Sequence, residues 1–260
     1  MTPNPIATQI HINEKALYVY HQNFDSQKPT LVFLHDSLGC TQLWRDFPEK
    51  LAEATQCNVL AYDRLGYGKS DPMPTYERAV NYLEQEASVL NELLTQLDIN
   101  AIILFGHSDG GSIALITAAQ YPERIKAVIA EAAHIFVEEV TLKGIREAME
   151  AYTSTDLPLR LQKYHGDKVD LLFKAWTLTW TRSDFKNWNI ESLLPQITCP
   201  LLFIQGEADE YGTLEQVHKT IRQVSGKSET YLIPDIGHTP HKEAPELTLL
   251  AAKRFIENLK

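Results

Sequence analysis

From residue 30 onward, short apolar runs alternate with longer stretches of helical periodicity, and this alternation constrains the fold more than any other feature. The runs fall at 30–35, 58–62, 101–106, 127–131, 200–205 and 229–233, and the helical patterns at about 43–55, 76–97, 112–121, 214–224 and 245–259. Ala101-Ile102-Ile103-Leu104-Phe105 is apolar at every position, as in a strand covered on both faces. Such strands are joined by crossover helices, so the pattern implies a mostly parallel sheet with helices on both sides, an α/β architecture. Two earlier runs, 9–12 and 17–21, are separated by a short link and read as an antiparallel hairpin at the sheet edge, which makes eight strands.

The alternation lapses between His134 and Thr198, where the sequence reads as helices without strand signals. The expected organisation is a core of residues 1–134 and 199–260 with a helical cap, 135–198, inserted between the sixth and seventh strands. Three of the four tryptophans, Trp176, Trp180 and Trp188, fall in this insertion. Trp176 and Trp180 share one helix face. They are candidates to line an apolar substrate pocket, and packing of cap onto core explains them equally well.

A formal charge of −10 with no Lys/Arg cluster argues against a nucleic-acid partner or an anionic membrane surface, and suits a neutral or cationic small molecule. No segment approaches the roughly eighteen uninterrupted apolar residues of a membrane span. Residues 1–5 lack the basic and apolar regions of a secretory signal, so the chain reads as cytoplasmic. Cys40, Cys57 and Cys199 are odd in number and form no C-x-x-C pair, which points to buried thiols rather than disulfides or a zinc site.

Gly106-His107-Ser108-Asp109-Gly110 follows the fifth run directly and opens a helical stretch. A Gly-x-Ser-x-Gly turn at a strand-to-helix corner holds a serine oxygen clear of the backbone, and the flanking glycines remove Cβ atoms that would clash. Ser108 is therefore the candidate nucleophile. Such a serine needs a base and an acid to orient it, and acidic and histidine residues follow the last two strands in Gly206-Glu207-Ala208-Asp209 and Asp235-Ile236-Gly237-His238. Loops at these carboxyl ends converge over a parallel sheet.

With these motifs, and with Asp63-Arg64-Leu65-Gly66-Tyr67-Gly68-Lys69-Ser70 and Glu243-Ala244-Pro245, the whole chain resembles the α/β-hydrolase family. It is similar to the valacyclovir hydrolase-like carboxylesterases. The resemblance implies a serine hydrolase with Ser108, Asp209 and His238 as its triad, in preference to the rival acids Glu207, Glu210 and Glu131. His241, lacking a preceding glycine, reads as a surface or capping residue. By the same analogy the oxyanion hole is formed by the amides of Ser37 and Asp109, although Asp36 stands where the family usually has glycine and is expected to fold onto nearby amides in an Asx-type turn. Asp109 also corresponds to an aspartate that binds an α-amino group in those relatives, while its position at a helix start explains it without a ligand.

The leading expectation is hydrolysis of small carboxylic esters through an acyl-enzyme, with amino-acid esters as one class. A second is hydrolytic C–C cleavage of vinylogous ketoacids by the same triad, for which Arg160, Arg182 and Lys186 are candidates to hold the substrate carboxylates, though surface solvation explains these cations equally well. A third is a non-catalytic ligand-binding protein on this scaffold. No metal or organic cofactor is expected: neither His35-Asp36 nor His238-x-x-His241 has further ligands nearby in sequence.

Overall fold

The computed structural model describes residues 6–23 and 25–259, so the reading of residues 1–5 lies outside the described residues. The chain begins with an antiparallel hairpin, β1 (Ile6–Ile12) and β2 (Lys15–Gln22), followed by β3 (Thr30–Leu34), α1 (Phe47–Thr55), β4 (Asn58–Tyr62), α2 (Tyr82–Gln96), β5 (Ile102–His107), α3 (Asp109–Gln120) and β6 (Ile125–Glu131). Next come α4 (Glu139–Ser154), α5 (Leu157–His165) and α6 (Val169–Thr181). The chain closes with β7 (Leu201–Gly206), α7 (Leu214–Gln223), β8 (Ser228–Ile233), a short α8 (Pro240–Glu243) and α9 (Pro245–Glu257).

The eight strands form one sheet in the order β1-β2-β4-β3-β5-β6-β7-β8. Only β1 with β2 and β2 with β4 run antiparallel; the pairs from β4 through β8 are parallel. Alternate residues of the central strands face opposite layers, as the two-residue period of a strand demands. Leu31, Phe33, Ile103 and Phe105 pack with Phe47, Leu51 and Phe255 of α1 and α9. Val32, Leu34, Leu104 and Val128 pack with Leu90, Ile116 and Val217 of α2, α3 and α7. Each such fully buried side chain is worth about 1.5–3 kcal/mol of transfer free energy.

Three helix expectations change. The helix expected at 76–97 begins at Tyr82, because Arg78 gives its carbonyl to Arg182 Nη2 at 2.9 Å and turns its own guanidinium inward to the Tyr67 hydroxyl at 2.9 Å. The one expected at 43–55 is split: a 3-10 turn covers Thr41–Trp44, Arg45 adopts a positive φ of 55°, and Pro48 sits in the first turn of α1, where its missing N–H costs nothing. The helix expected from Ser112 starts earlier, at Asp109. Cys199 is only half-buried, unlike Cys40 and Cys57, and all three thiols are free.

The helices between β6 and β7 are tied to the loops at the carboxyl ends of the strands. Lys168 Nζ donates to the carbonyls of Tyr67, Gly68 and Ser70 at 3.2, 2.7 and 2.6 Å. His165 bridges two loops, accepting from the Gly68 amide at 2.9 Å through Nδ1 and lying 3.0 Å from the Leu38 carbonyl through Nε2. The loop they grip is a structural knot centred on Asp63, whose carboxylate accepts from the amides of Thr41 and Lys69 at 2.6 and 2.8 Å. Among the described residues no helix is long and apolar enough to cross a membrane.

Candidate active site

β5 ends at His107 and α3 begins at Asp109, so the chain reverses at Ser108, which takes φ 55° and ψ −121°. A non-glycine residue there is strained, and the reversal is held by close backbone contact. A Cβ on Gly106 would lie 2.1 Å from the Gly110 carbonyl oxygen, and one on Gly110 would lie 2.0 Å from that of Leu34. The Ser108 amide is anchored on the Glu131 carbonyl at 2.9 Å.

The two loops that follow β7 and β8 bring the remaining groups to this serine. His238 Nε2 lies 2.9 Å from Ser108 Oγ, and His238 Nδ1 lies 2.9 Å from each carboxylate oxygen of Asp209. The carboxylate only accepts, so Nδ1 carries the proton and Nε2 presents its lone pair to the hydroxyl. Asp209 also accepts from the amides of Tyr211 and Gly212 at 2.7 and 3.2 Å and from Gln205 Nε2 at 2.6 Å. Burial alone would raise its carboxyl, but the hydrogen bond and charge of His238 outweigh burial and hold it below the usual range.

Ser37, Ser108, Asp109, His134 and His238 line one cavity of about 160 Å³, together with Trp176 and Trp180 of α6 and Ile145 of α4. Among the described residues no acceptor takes the Ser37 amide, and the Asp109 amide, first in α3, has no partner within its helix. No lysine or arginine lines this cavity. Arg160 lies on the surface beside Asp156, Arg182 is engaged by Asp184 and the Arg78 carbonyl, and Lys186 is exposed. Among the described residues no cluster of three or more His, Cys, Asp or Glu side chains is placed to hold a metal ion.

The family described as the alpha/beta hydrolase fold matches residues 29–179, more than half of the chain. The chain belongs to the alpha/beta hydrolase family. It is 30% identical to serine hydrolase BPHL of Homo sapiens over 199 residues, covering 74% of this chain and 67% of that one. With the Mus musculus protein of the same name it shares 26% identity over 241 residues, 90% of this chain and 81% of that one. The crystal structure of MGS-M2, an alpha/beta hydrolase enzyme from a Medee basin deep-sea metagenome library, superimposes with a TM-score of 0.79 at 22% identity, covering 97% and 98% of the two chains.

Several residues of this hydrolase sit differently from their sequence reading. The Asp109 side chain is 1% exposed, accepts from the Tyr82 hydroxyl at 2.9 Å and has Arg64 Nη1 at 3.8 Å, so its charge is answered within the protein. Trp180 both lines the cavity and donates its indole N–H to the same Tyr82 hydroxyl at 2.9 Å, while Trp188 stacks on Phe185 in the core. His241 is buried rather than at the surface: its Nδ1 is 2.9 Å from Glu131 Oε2 and its amide donates to Glu131 Oε1 at 2.6 Å. Asp36 makes the expected Asx-type bond, accepting from the Leu38 amide at 3.4 Å through Oδ2, and its other carboxylate oxygen looks toward His107.

The roles of other members of the site were not read from sequence. Glu243 accepts from the amides of Gly237 and Thr239, both at 2.9 Å, and Glu210 accepts from that of His238 at 3.2 Å, so two carboxylates grip the His238 turn. The Glu243-Ala244-Pro245 motif was the one available signal. His134, just after β6, lies 5.8 Å from His238 between ring centroids, and burial with the like charge of His238 pushes it down to about 4. It presents a neutral ring to the cavity.

Proposed function

We propose that this hydrolase cleaves small carboxylic esters through an acyl-enzyme on Ser108, with no cofactor. The observation that carries the proposal is the unbroken hydrogen-bonded line from Asp209 through His238 to Ser108, opening on a cavity. His238 Nε2 takes the hydroxyl proton as Oγ attacks the ester carbonyl, and Asp209 holds the imidazolium that forms. The negative charge on the tetrahedral oxygen is met by the amides of Ser37 and Asp109. Collapse expels the alcohol, which receives the proton from His238, and water activated by the same base then releases the acid. Residues 135–198 serve as a cap over a core of 1–134 and 199–260, contributing Trp176 and Trp180 to the acyl pocket.

The cavity volume and its tryptophan and isoleucine walls suit a short, neutral acyl group. A ketoacid dianion would meet Asp36, Asp109 and Glu210 with no lysine or arginine in the lining, so C–C hydrolysis is the weaker reading. Asp109 is already answered by Tyr82 and Arg64, so ammonium recognition is not needed to account for it. We place the enzyme in the cytoplasm, which its three free thiols suit.

The test is steady-state hydrolysis of p-nitrophenyl acetate and butyrate by the wild type and by Ser108→Ala. Turnover confined to the wild type supports the reading. Equal, near-background rates, with turnover of a dienoate ketoacid or stoichiometric ligand binding instead, would replace it. An amino-acid ester preferred more than about tenfold, 1.4 kcal/mol, over its N-acetyl counterpart would restore ammonium recognition.

A further inference from the structure

Beside the line from Asp209 to Ser108 lies a second set of charged groups that the proposed reaction does not use. His107, 2% exposed, is the last residue of β5. Its Nε2 is 2.8 Å from the backbone carbonyl oxygen of His238, and its Nδ1 is 3.8 Å from Asp36 Oδ1. A carbonyl oxygen only accepts, so Nε2 carries a proton. A carboxylate also only accepts, and Nδ1 is buried with no hydrogen-bond partner among the described residues. A neutral ring would aim a lone pair at Asp36. An imidazolium aims its second N–H there, so both ring nitrogens face acceptors as a doubly protonated ring requires.

The surroundings favour that charge. Asp36 faces the ring from the loop after β3 and Glu131 from β6, while the rings of His238 and His241 lie 5.1 and 5.0 Å away. Lys242 on α8 is the opposing cation, and the Trp44 ring closes the pocket at 6.4 Å. Burial pulls the His107 imidazolium down, yet Asp36 and Glu131 outweigh it and leave the group raised. Burial likewise pushes the Asp36 carboxyl up, and His107 with Lys242 overcomes this, holding it well below the usual carboxylate range.

Asp36 immediately precedes Ser37, whose amide we assign to the oxyanion hole. An uncompensated carboxylate there would oppose the negative charge that develops on the substrate oxygen. We propose that His107 and Asp36 form a resident ion pair that keeps the Asp36 charge from opposing the oxyanion, while His107 positions His238 through its backbone carbonyl. The pair rests on the ester-hydrolase reading for its catalytic effect and on geometry alone for its existence. His107 is a positioning residue that never exchanges a proton with substrate.

Two measurements separate these levels. Nitrogen-15 spectra of the histidine side chains at pH 7.5 are expected to show His107 protonated on both nitrogens in the wild type and neutral in Asp36→Asn. A neutral His107 in the wild type overturns the pair, whatever the ester assay gives. In that assay His107→Gln, which leaves Asp36 bare, is expected to lower kcat about a hundredfold with KM changed less than about threefold. Asp36→Asn costs less than about tenfold, and adding it to His107→Gln restores at least about tenfold of the lost rate. Additive losses would mean a merely structural role and would overturn the catalytic part. If the wild type hydrolyses no ester, the spectra still decide the pair, so failure of the reaction assignment is told apart from failure of this one.

Discussion

His238 and His241 stand three residues apart, and each meets a carboxylate at 2.9 Å through Nδ1, Asp209 in one case and Glu131 in the other. Their second nitrogens differ. That of His238 faces the Ser108 hydroxyl on the wall of a cavity, whereas the His241 ring is 3% exposed and lies 4.3 Å from that of Trp44. Burial lowers the His241 imidazolium, and the Glu131 carboxyl is held low by His241 against its own burial, so this pair is a neutral ring donating to a carboxylate. It clamps α8 to the end of β6. A histidine–acid pair becomes a base only where the other nitrogen can reach a proton to take, and here that outlet exists on one loop and is walled off on the next turn.

The sharpest way to break this comparison is to remove each outlet in turn. Ser108→Ala and His238→Gln are each expected to lower kcat on a short-chain ester on the order of 10⁵-fold without a change in melting temperature of more than a few degrees. His241→Phe, measured in the same assay, should keep activity within about tenfold.

The acids follow. Asp209→Asn removes the acceptor that fixes the His238 tautomer, and about 10⁴-fold loss of kcat is expected. Glu131→Ala leaves a buried imidazole N–H unpartnered, which costs about 1–3 kcal/mol of stability in a denaturant titration while the folded fraction keeps most of its activity. If Glu131→Ala instead removed activity and Asp209→Asn only stability, the two roles would be exchanged.

A smaller effect distinguishes both pairs from surface charges. The Asp209 and Glu131 carboxyls lie below their ordinary ranges in the fold, so the stability they add is present above the unfolded values near 4 and is lost as pH falls through the folded ones. Thermal melts should therefore hold above about pH 6.5, begin to fall below it as the unfolded state gains the protons that buried His134 and His241 refuse, and fall further below about pH 4, that last drop less steep in Glu131→Gln. The smallest change belongs to the turn that carries His238. Glu243→Gln weakens two hydrogen bonds to exposed amides, about 1 kcal/mol in all, and should lower kcat only about threefold.

Local signals made the fold and the serine legible. The all-apolar run before Gly106 marked a strand buried on both faces, and the glycines around Ser108 marked a turn with no space for a Cβ. What stayed hidden depends on contacts between distant segments. His241 looked like a surface residue because its partner, Glu131, lies 110 residues away on β6. The turn-forming bond of Asp36 to Leu38 is local and was legible, whereas nothing in its neighbourhood announces His107. The start of α2 was misplaced for the same reason: Arg182 takes the Arg78 carbonyl that a longer helix would use.

The central claim, that His238 and not His241 activates Ser108, is tested most directly by intact-protein mass spectrometry after brief exposure to a fluorophosphonate, which phosphonylates an activated serine with loss of fluoride. The account predicts a single adduct on Ser108 in the wild type and in His241→Phe, and none in Ser108→Ala or His238→Gln. An adduct that survives in His238→Gln but disappears in His241→Phe would contradict it.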